Sequence, residues 1–198
     1  MNLSESETKV NLMRAFAGEC MARARYNLAA SNAKSEGHYV ISALFDYIAK
    51  QEQAHSTVFY NHLKELSGTN FDICAAYPID VLDSTAKYLS AAVKNETEEY
   101  DSIYKSFGDT AKNEGFNSIA NSFFSIAEIE KTHAQHFNEF LTALNGNKLY
   151  KSENGTIWIC TNCGHIHIGT SAPESCPVCS HPQGYFVAES IAVFKNFN

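Results

Sequence analysis

The sequence predicts a mainly α protein: a four-helix bundle followed by a small C-terminal β/knuckle domain. Three observations predict it. Apolar residues recur at steps of three and four through most of the chain before Asn145, which keeps them on one face of an α-helix. The pattern repeats, since an inward Glu19 precedes Glu52 by 33 residues and Glu96 precedes Glu130 by 34. At Asn145-Gly146-Asn147 the composition changes, and Cys, Gly, Pro and β-branched residues replace the long periodic segments. Two domains are therefore expected, 1–146 and 147–198.

The first helix is expected from about Ser6 to Ser35, with Glu5 and Glu7 suiting its positive end. Its stripe reads Leu12, Phe16, Glu19, Ala22, Tyr26, and Gly37 marks the turn that follows. The second helix runs from about His38 to Leu66, with the stripe Ile41, Phe45, Ile48, Glu52, His55, Phe59, Leu66, and stops at Ser67-Gly68. Thr69 to Pro78 reads as a crossover. The third helix is expected from Ile79 to Phe107, with the stripe Leu82, Leu89, Val93, Glu96, Tyr100, Ile103, Phe107, ending near Gly108. The fourth runs from Phe116 to Leu144, with Phe116, Phe123, Ala127, Glu130, Ala134, Phe137, Leu141 and Leu144 inward, and stops at Gly146. Two hairpins joined by a crossover bring the four acidic positions together in the middle.

A carboxylate inside an apolar stripe is too costly to keep unpaired, so a cation is expected to meet Glu19, Glu52, Glu96 and Glu130. Residues three apart stand on one face, so Glu52 with His55, and Glu130 with His133, can each chelate one side of a metal pair. Glu19 and Glu96 can cap or bridge from the other helices. This matches the known arrangement of ferritin-like di-iron and di-manganese carboxylate proteins. Mixed carboxylate and imidazole ligation suits iron or manganese. Glu99 is a further inward carboxylate three residues after Glu96, giving one metal a choice of ligand. Tyr26 and Tyr104 lie near the stripe faces, either hydrogen-bonded to the carboxylates or as amphipathic core tyrosines. Glu98 and Glu128 fall off the stripes and are expected in solvent. His62 is expected at the core edge and His136 at the surface. Gly18 costs helix stability, about 1 kcal/mol relative to Ala, and makes room for a ligand or for helix packing.

Cys160-x-x-Cys163 and Cys176-x-x-Cys179 form two knuckles that can hold one tetrahedral metal, zinc or iron. Trp158, Ile159, Tyr185 and Phe186 supply an apolar shell. Cys20 and Cys74 stand outside this set and are expected as buried or half-buried thiols. A net charge of -7 argues against nucleic acid as a partner. Met1 to Lys9 is polar with no apolar signal region, and no apolar run approaches a membrane span. The C-x-x-C pairs then point to metal binding in a reducing cytoplasm.

The segments Ala15-Phe16-Ala17-Gly18-Glu19, Gln51-Glu52-x-x-His55, Glu96-x-x-Glu99-Tyr100 and Ser125-Ile126-Ala127-x-x-Glu130-x-x-His133, with the tail Trp158-x-Cys160-x-x-Cys163-Gly164 through Cys176-Pro-x-Cys179, resemble the rubrerythrin family over nearly the whole chain. The resemblance implies a non-haem di-iron site in a ferritin-like bundle and a rubredoxin-type iron that feeds it electrons from an external donor. It implies reduction of hydrogen peroxide to water, exchange of His55 for Glu99 on one iron upon oxidation, and a homodimer pairing one subunit's tail with the other's di-iron site. Two features depart from a free-standing rubredoxin: Ser180 follows the second knuckle where glycine is usual, and 12 residues separate the pairs. Two rival readings share parts of the pattern. A ferroxidase or iron-storage protein needs the bundle ligands but no thiolate tail, and a zinc-ribbon interaction protein needs only the tail.

Overall fold

The computed structural model describes residues 2–193. Helix α1 spans Glu7–Ser35 and α2 spans Tyr39–His62, with Gly37 at φ +82° in the turn between them. Ser6 caps α1 by accepting from the Lys9 N–H, and the Glu114 carboxylate accepts the Glu7 and Thr8 N–H groups at 3.0 and 2.9 Å. A 3₁₀ turn, Lys64–Leu66, ends the first hairpin, and residues 67–84 cross over without regular structure. Helix α3 (Thr85–Glu98), a π-helical turn (Glu99–Ile103) and α4 (Tyr104–Asn113) follow one another as the third arm of the bundle. Helix α5 (Asn117–Asn145) is the fourth. Strands β1 (Lys151–Cys160), β2 (Ile166–Ser171) and β3 (Phe186–Ala188) form an antiparallel sheet in the order β2-β1-β3. Among the described residues no helix is long and apolar enough to cross a membrane.

The third arm departs from the expected one at both ends. It begins at Thr85 rather than Ile79, where the Glu36 carboxylate accepts the Thr85 N–H at 3.1 Å. Leu82 is left in the crossover, and Ile79 and Val81 are 89% and 86% exposed. At the other end Gly108 does not stop the helix. It is buried inside α4, where a Cβ would run into the Phe124 ring, and the left-handed residue that ends this arm is Gly115. The π turn inserts one residue into the helical register. The inward stripe therefore passes from Leu89, Ala92 and Glu96 to Tyr104, Gly108 and Ala111, and Ile103 is turned outward.

Two apolar layers fill the bundle. One is built around Ala22, Tyr26, Ile41, Phe45, Ile48, Leu89 and Phe137, the other around Leu12, Ala15, Phe59, Tyr104, Phe123 and Ala127. Glu19, Glu52, His55, Glu96, Glu130 and His133 are all buried in sequence between members of the two layers, so they form a polar belt across the middle. A third cluster, with Trp158 and Phe186 around Cys160 and Cys176, is the core of the tail. Ile159, on the opposite face of β1, packs instead on the bundle cluster, as the two-residue period of a strand requires. Tyr39 stacks on Tyr185 at 4.4 Å, and Gly184 lies so close to the Gly37 carbonyl that no side chain fits between them.

Candidate metal centre

Each of the four arms contributes one carboxylate to the belt because each stripe continues through it. The two hairpins then face their acids toward one another. Glu52 and Glu130 lie at the centre, and their oxygens divide between the two histidines. His55 Nδ1 is 2.9 Å from Glu130 Oε1 and 3.5 Å from Glu52 Oε2. His133 Nδ1 is 2.7 Å from Glu130 Oε2 and 3.1 Å from Glu52 Oε1. Glu19 Oε2 stands 3.8 Å from His55 Nδ1, and Glu96 Oε2 stands 3.6 Å from His133 Nδ1. Two overlapping groups result, Glu19, Glu52, His55, Glu130 and Glu52, Glu96, Glu130, His133, each with ligand atoms within 4.8 Å of one another. Each group keeps the pair expected along one helix, Glu52 with His55 or Glu130 with His133, and adds the central carboxylate of the facing hairpin. Glu52 and Glu130 are the residues common to both groups, while Glu19 and Glu96 cap one each.

These contacts are short but lack hydrogen-bond geometry. Glu19 Oε2, both oxygens of Glu52 and of Glu130, Glu96 Oε2, His55 Nδ1 and His133 Nδ1 are buried without a hydrogen-bond partner. Buried oxygens and nitrogens in that state are costly, and lone pairs converging on common points are what a pair of cations satisfies. The outer atoms are partnered as ligand positioning demands. Tyr104 Oη donates to Glu19 Oε1 at 2.6 Å, and Tyr26 Oη donates to Glu96 Oε1. The two tyrosines are therefore hydrogen-bonded to the carboxylates.

Without cations the acids raise one another's proton affinity. Burial, then Glu130 and Glu52, pushes Glu19 well above the usual carboxylate range, and burial with Glu52 and Glu130 pushes Glu96 up to about 8. Burial also opposes ionisation of Glu52, but the close approach of the His133 and His55 rings holds it below the ordinary value. Burial disfavours the charged form of His55, yet Glu130 and Glu52 raise it to about 9. Burial, then Glu96 and Glu130, raises Glu99 strongly, with Arg25 opposing.

Glu99 is half-buried at the start of the π turn and is not drawn into either group of ligand atoms. It lines a cavity of about 500 Å³ with Tyr104, Gly18, Arg25 and Tyr77. Gly18 faces Tyr77, where a Cβ would sit at an ordinary 3.5 Å, so tight packing does not demand the glycine. Glu98 and Glu128 are exposed as expected. His62 is half-buried against Ser122 Oγ at 2.9 Å, and half-buried His136 stands 4.0 Å from Glu139. Cys20 and Cys74 are exposed, contrary to expectation, because they lie on the outer face of α1 and on the irregular crossover. Sequence reasoning gave Gln51 no role. Its carbonyl faces His133 Nε2 at 3.0 Å and its amide donates to Tyr47 Oη at 3.0 Å.

In the tail, Cys160, Cys163, Cys176 and Cys179 bring their sulfurs together, with Cys160–Cys179 and Cys163–Cys176 at 3.7 Å. A tetrahedral site with metal–sulfur bonds of about 2.3 Å requires sulfurs about 3.8 Å apart. The knuckles are built alike: Gly164 N–H donates to Cys160 O at 2.8 Å and Ser180 N–H to Cys176 O at 2.9 Å. Both turn residues are left-handed, Gly164 at φ +77° and Ser180 at φ +58°. The His181 backbone N–H pulls the Cys179 thiol down to about 6.

Comparison with known proteins agrees with this geometry. The rubrerythrin family model matches residues 10–141 and, in a second match, 87–156; the model of the rubrerythrin rubredoxin-like domain matches 158–187. The chain is 40% identical to rubrerythrin of Clostridium perfringens (93% of this chain, 95% of that protein). It is 39% identical to rubrerythrin of Nitratidesulfovibrio vulgaris (93% and 95%). The structure of fully reduced, all-ferrous nigerythrin superposes with a TM-score of 0.62 at 27% identity, covering 92% of this chain and 86% of that one. The fold is a ferritin-like bundle with a rubredoxin-like tail, and the chain carries a di-iron carboxylate–histidine site and a four-cysteine rubredoxin-like cluster. This protein belongs to the rubrerythrin family.

Proposed function

We propose that this chain is a non-haem di-iron peroxidase that reduces hydrogen peroxide to water, with electrons delivered through its tail. The supporting observation is the presence of two metal sites of different chemistry in one chain. The bundle offers buried oxygen and nitrogen donors without hydrogen-bond partners, and the tail offers four convergent thiols. Iron storage needs only the first. A thiolate electron relay is useful where the bundle is reduced again after every turnover. When bound, iron supplies two electrons and Lewis acidity for O–O cleavage in the bundle, and a one-electron relay from an external donor in the tail.

The reaction consumes one peroxide, two electrons and two protons and yields two waters. Glu52 and Glu130 present one oxygen to each half of the site, and Glu19 and Glu96 close its ends. Tyr104 and Tyr26 keep their protons, since burial and the adjoining carboxylates raise both phenols, and so remain donors to Glu19 Oε1 and Glu96 Oε1. Glu99 and Tyr104 share the cavity wall, which supports reading this cavity as the way in for peroxide and Glu99 as the carboxylate that would exchange with His55. An added anionic oxygen favours the more highly charged oxidised state. The domains are 1–146 and 147–198, of which residues 1 and 194–198 lie outside the described residues. The protein works in the cytoplasm as a homodimer, each tail serving the partner's bundle.

The test is a single-turnover titration of anaerobic, iron-loaded protein with peroxide. Two ferrous ions should be oxidised per peroxide, and the oxidised tail should be red. Cys160→Ser should remove the colour and stop turnover with an external reductant while leaving the single turnover of the bundle. A cage accumulating many irons per chain would instead identify a storage ferroxidase, and a colourless protein inert to peroxide a zinc ribbon.

A further inference from the structure

The cavity against the outer side of the belt is roofed by Ala75, Ala76, Tyr77 and Pro78 of the crossover. Arg25 of α1 lies in its wall with Glu99. Arg25 is mostly buried, and its Nε makes no hydrogen bond. Its ion-pair partner is Asp80, Nε to Oδ2 at 3.4 Å, and that same oxygen already accepts from Asn95 Nδ2 at 2.9 Å. Two other acids meet this cavity. Glu98 is exposed and faces Lys94 at 3.7 Å on the outside of the helix. Glu99 is half-buried, and the attraction of Arg25 offsets part of the effect of its burial and its acidic neighbours. The other guanidinium in the lining, Arg14, pairs with Glu7 at 2.6 Å.

We propose that Arg25 is a positioning residue that holds the Glu99 carboxylate on the cavity side of the site, with Asp80 as its standing counter-ion. The inference rests on the reading of Glu99 as an exchangeable ligand. A carboxylate that leaves the metal for a buried cavity needs a cation there, or the departure leaves an unpaired charge. A guanidinium has donors enough for two carboxylates, whereas an ammonium is a single point charge. Asp80 keeps Arg25 neutralised when Glu99 turns to the metal, so neither position leaves a charge alone. Asn95 fixes Asp80, and Asp80 ties the crossover to the site.

The experiment compares zinc-loaded crystals, zinc being a divalent ion that cannot change oxidation state. In the parent Glu99 should face Arg25; in Arg25→Gln it should turn onto the metal. Glu99 on the metal in the parent would overturn both this inference and the exchange itself. Glu99 on the cavity side in both proteins would overturn this inference alone. The di-iron midpoint potential gives a second readout. Arg25→Gln should favour the oxidised state about tenfold, lowering the potential by about 59 mV for a one-electron step. Arg25→Lys should recover only part of that, and Asp80→Asn should shift it the other way, even if Arg25→Gln fails to fold. In a Glu99→Gln background the effect of Arg25→Gln should largely vanish. A shift of equal size there would be the bare field of the guanidinium and would overturn the proposal.

Discussion

Gln51 and His133 are joined by a 3.0 Å hydrogen bond, and it decides which way the imidazole faces. The Gln51 amide is committed as a donor to Tyr47, so its carbonyl accepts from His133 Nε2. A neutral imidazole that donates from Nε2 turns the lone pair of Nδ1 toward Glu52, Glu96 and Glu130. Gln51→Leu should leave the fold intact and weaken the metal position at His133 by about 10–100-fold, the usual cost of losing such a partner. Anaerobic ferrous titration measures it, and equal affinity at both positions would show that packing alone orients the ring.

The shared oxygens of Glu52 and Glu130 make the ligands unequal. Removing Glu130 should cost both metal positions, since it belongs to both groups, whereas removing Glu19 should cost chiefly the one at His55. Iron stoichiometry of Glu130→Ala against Glu19→Ala separates the cases. Two full-affinity bundle sites in Glu130→Ala would reject the assignment.

The stripes disclosed the belt in the sequence because a carboxylate at a core position violates the apolar pattern, and Glu19, Glu52, Glu96 and Glu130 converge in the structure, whereas Glu99 stands outside both groups. What the stripes could not disclose lies off the regular period. The π turn moved the inward face from Ile103 to Tyr104, and helical spacing assumes that no residue is inserted. Tyr104 was nevertheless found, because it lay near the stripe. Helical spacing gives Gln51 no role, since a glutamine beside a stripe is ordinary; it enters only through the segment that resembles the family. The Arg25–Asp80–Asn95 contacts join residues distant in sequence through a segment with no period at all. Ser180 looked like a departure at the second knuckle, yet its backbone adopts the left-handed turn that Gly164 adopts at the first.

Removing the metal should make stability depend on pH. In the cation-free bundle Glu96 is raised from 4.5 to about 8, mainly by burial, and His55 from 6.5 to about 9 by its carboxylates against the effect of burial. Both are raised above their unfolded values, so each stabilises fully below the unfolded value and loses that contribution as pH rises through the folded one. Glu52 acts oppositely, but only as pH falls below the ordinary glutamate range. The thermal midpoint of the metal-free protein should therefore fall as pH rises from 4.5 to about 9. Iron-loaded protein should be nearly flat over that window. A metal-free midpoint that climbs instead would mean that the acids do not face one another unscreened.

Glu99 gives the sharpest test of the exchange. It stands outside both groups of ligand atoms, at the first residue of the π turn and in the wall of the cavity. Glu99→Ala leaves Glu19, Glu52, His55, Glu96, Glu130 and His133 in place, so ferrous loading should stay near normal. The oxidised state should suffer, because the anionic oxygen that balances its extra charge is gone. Peroxide turnover should fall about tenfold or more, an effect on the step in which charge develops rather than on binding. Ferrous titration and stopped-flow oxidation of the same preparation separate the two. Oxidation at the parent rate would make the site a plain six-ligand centre, with Glu99 only a wall of its cavity.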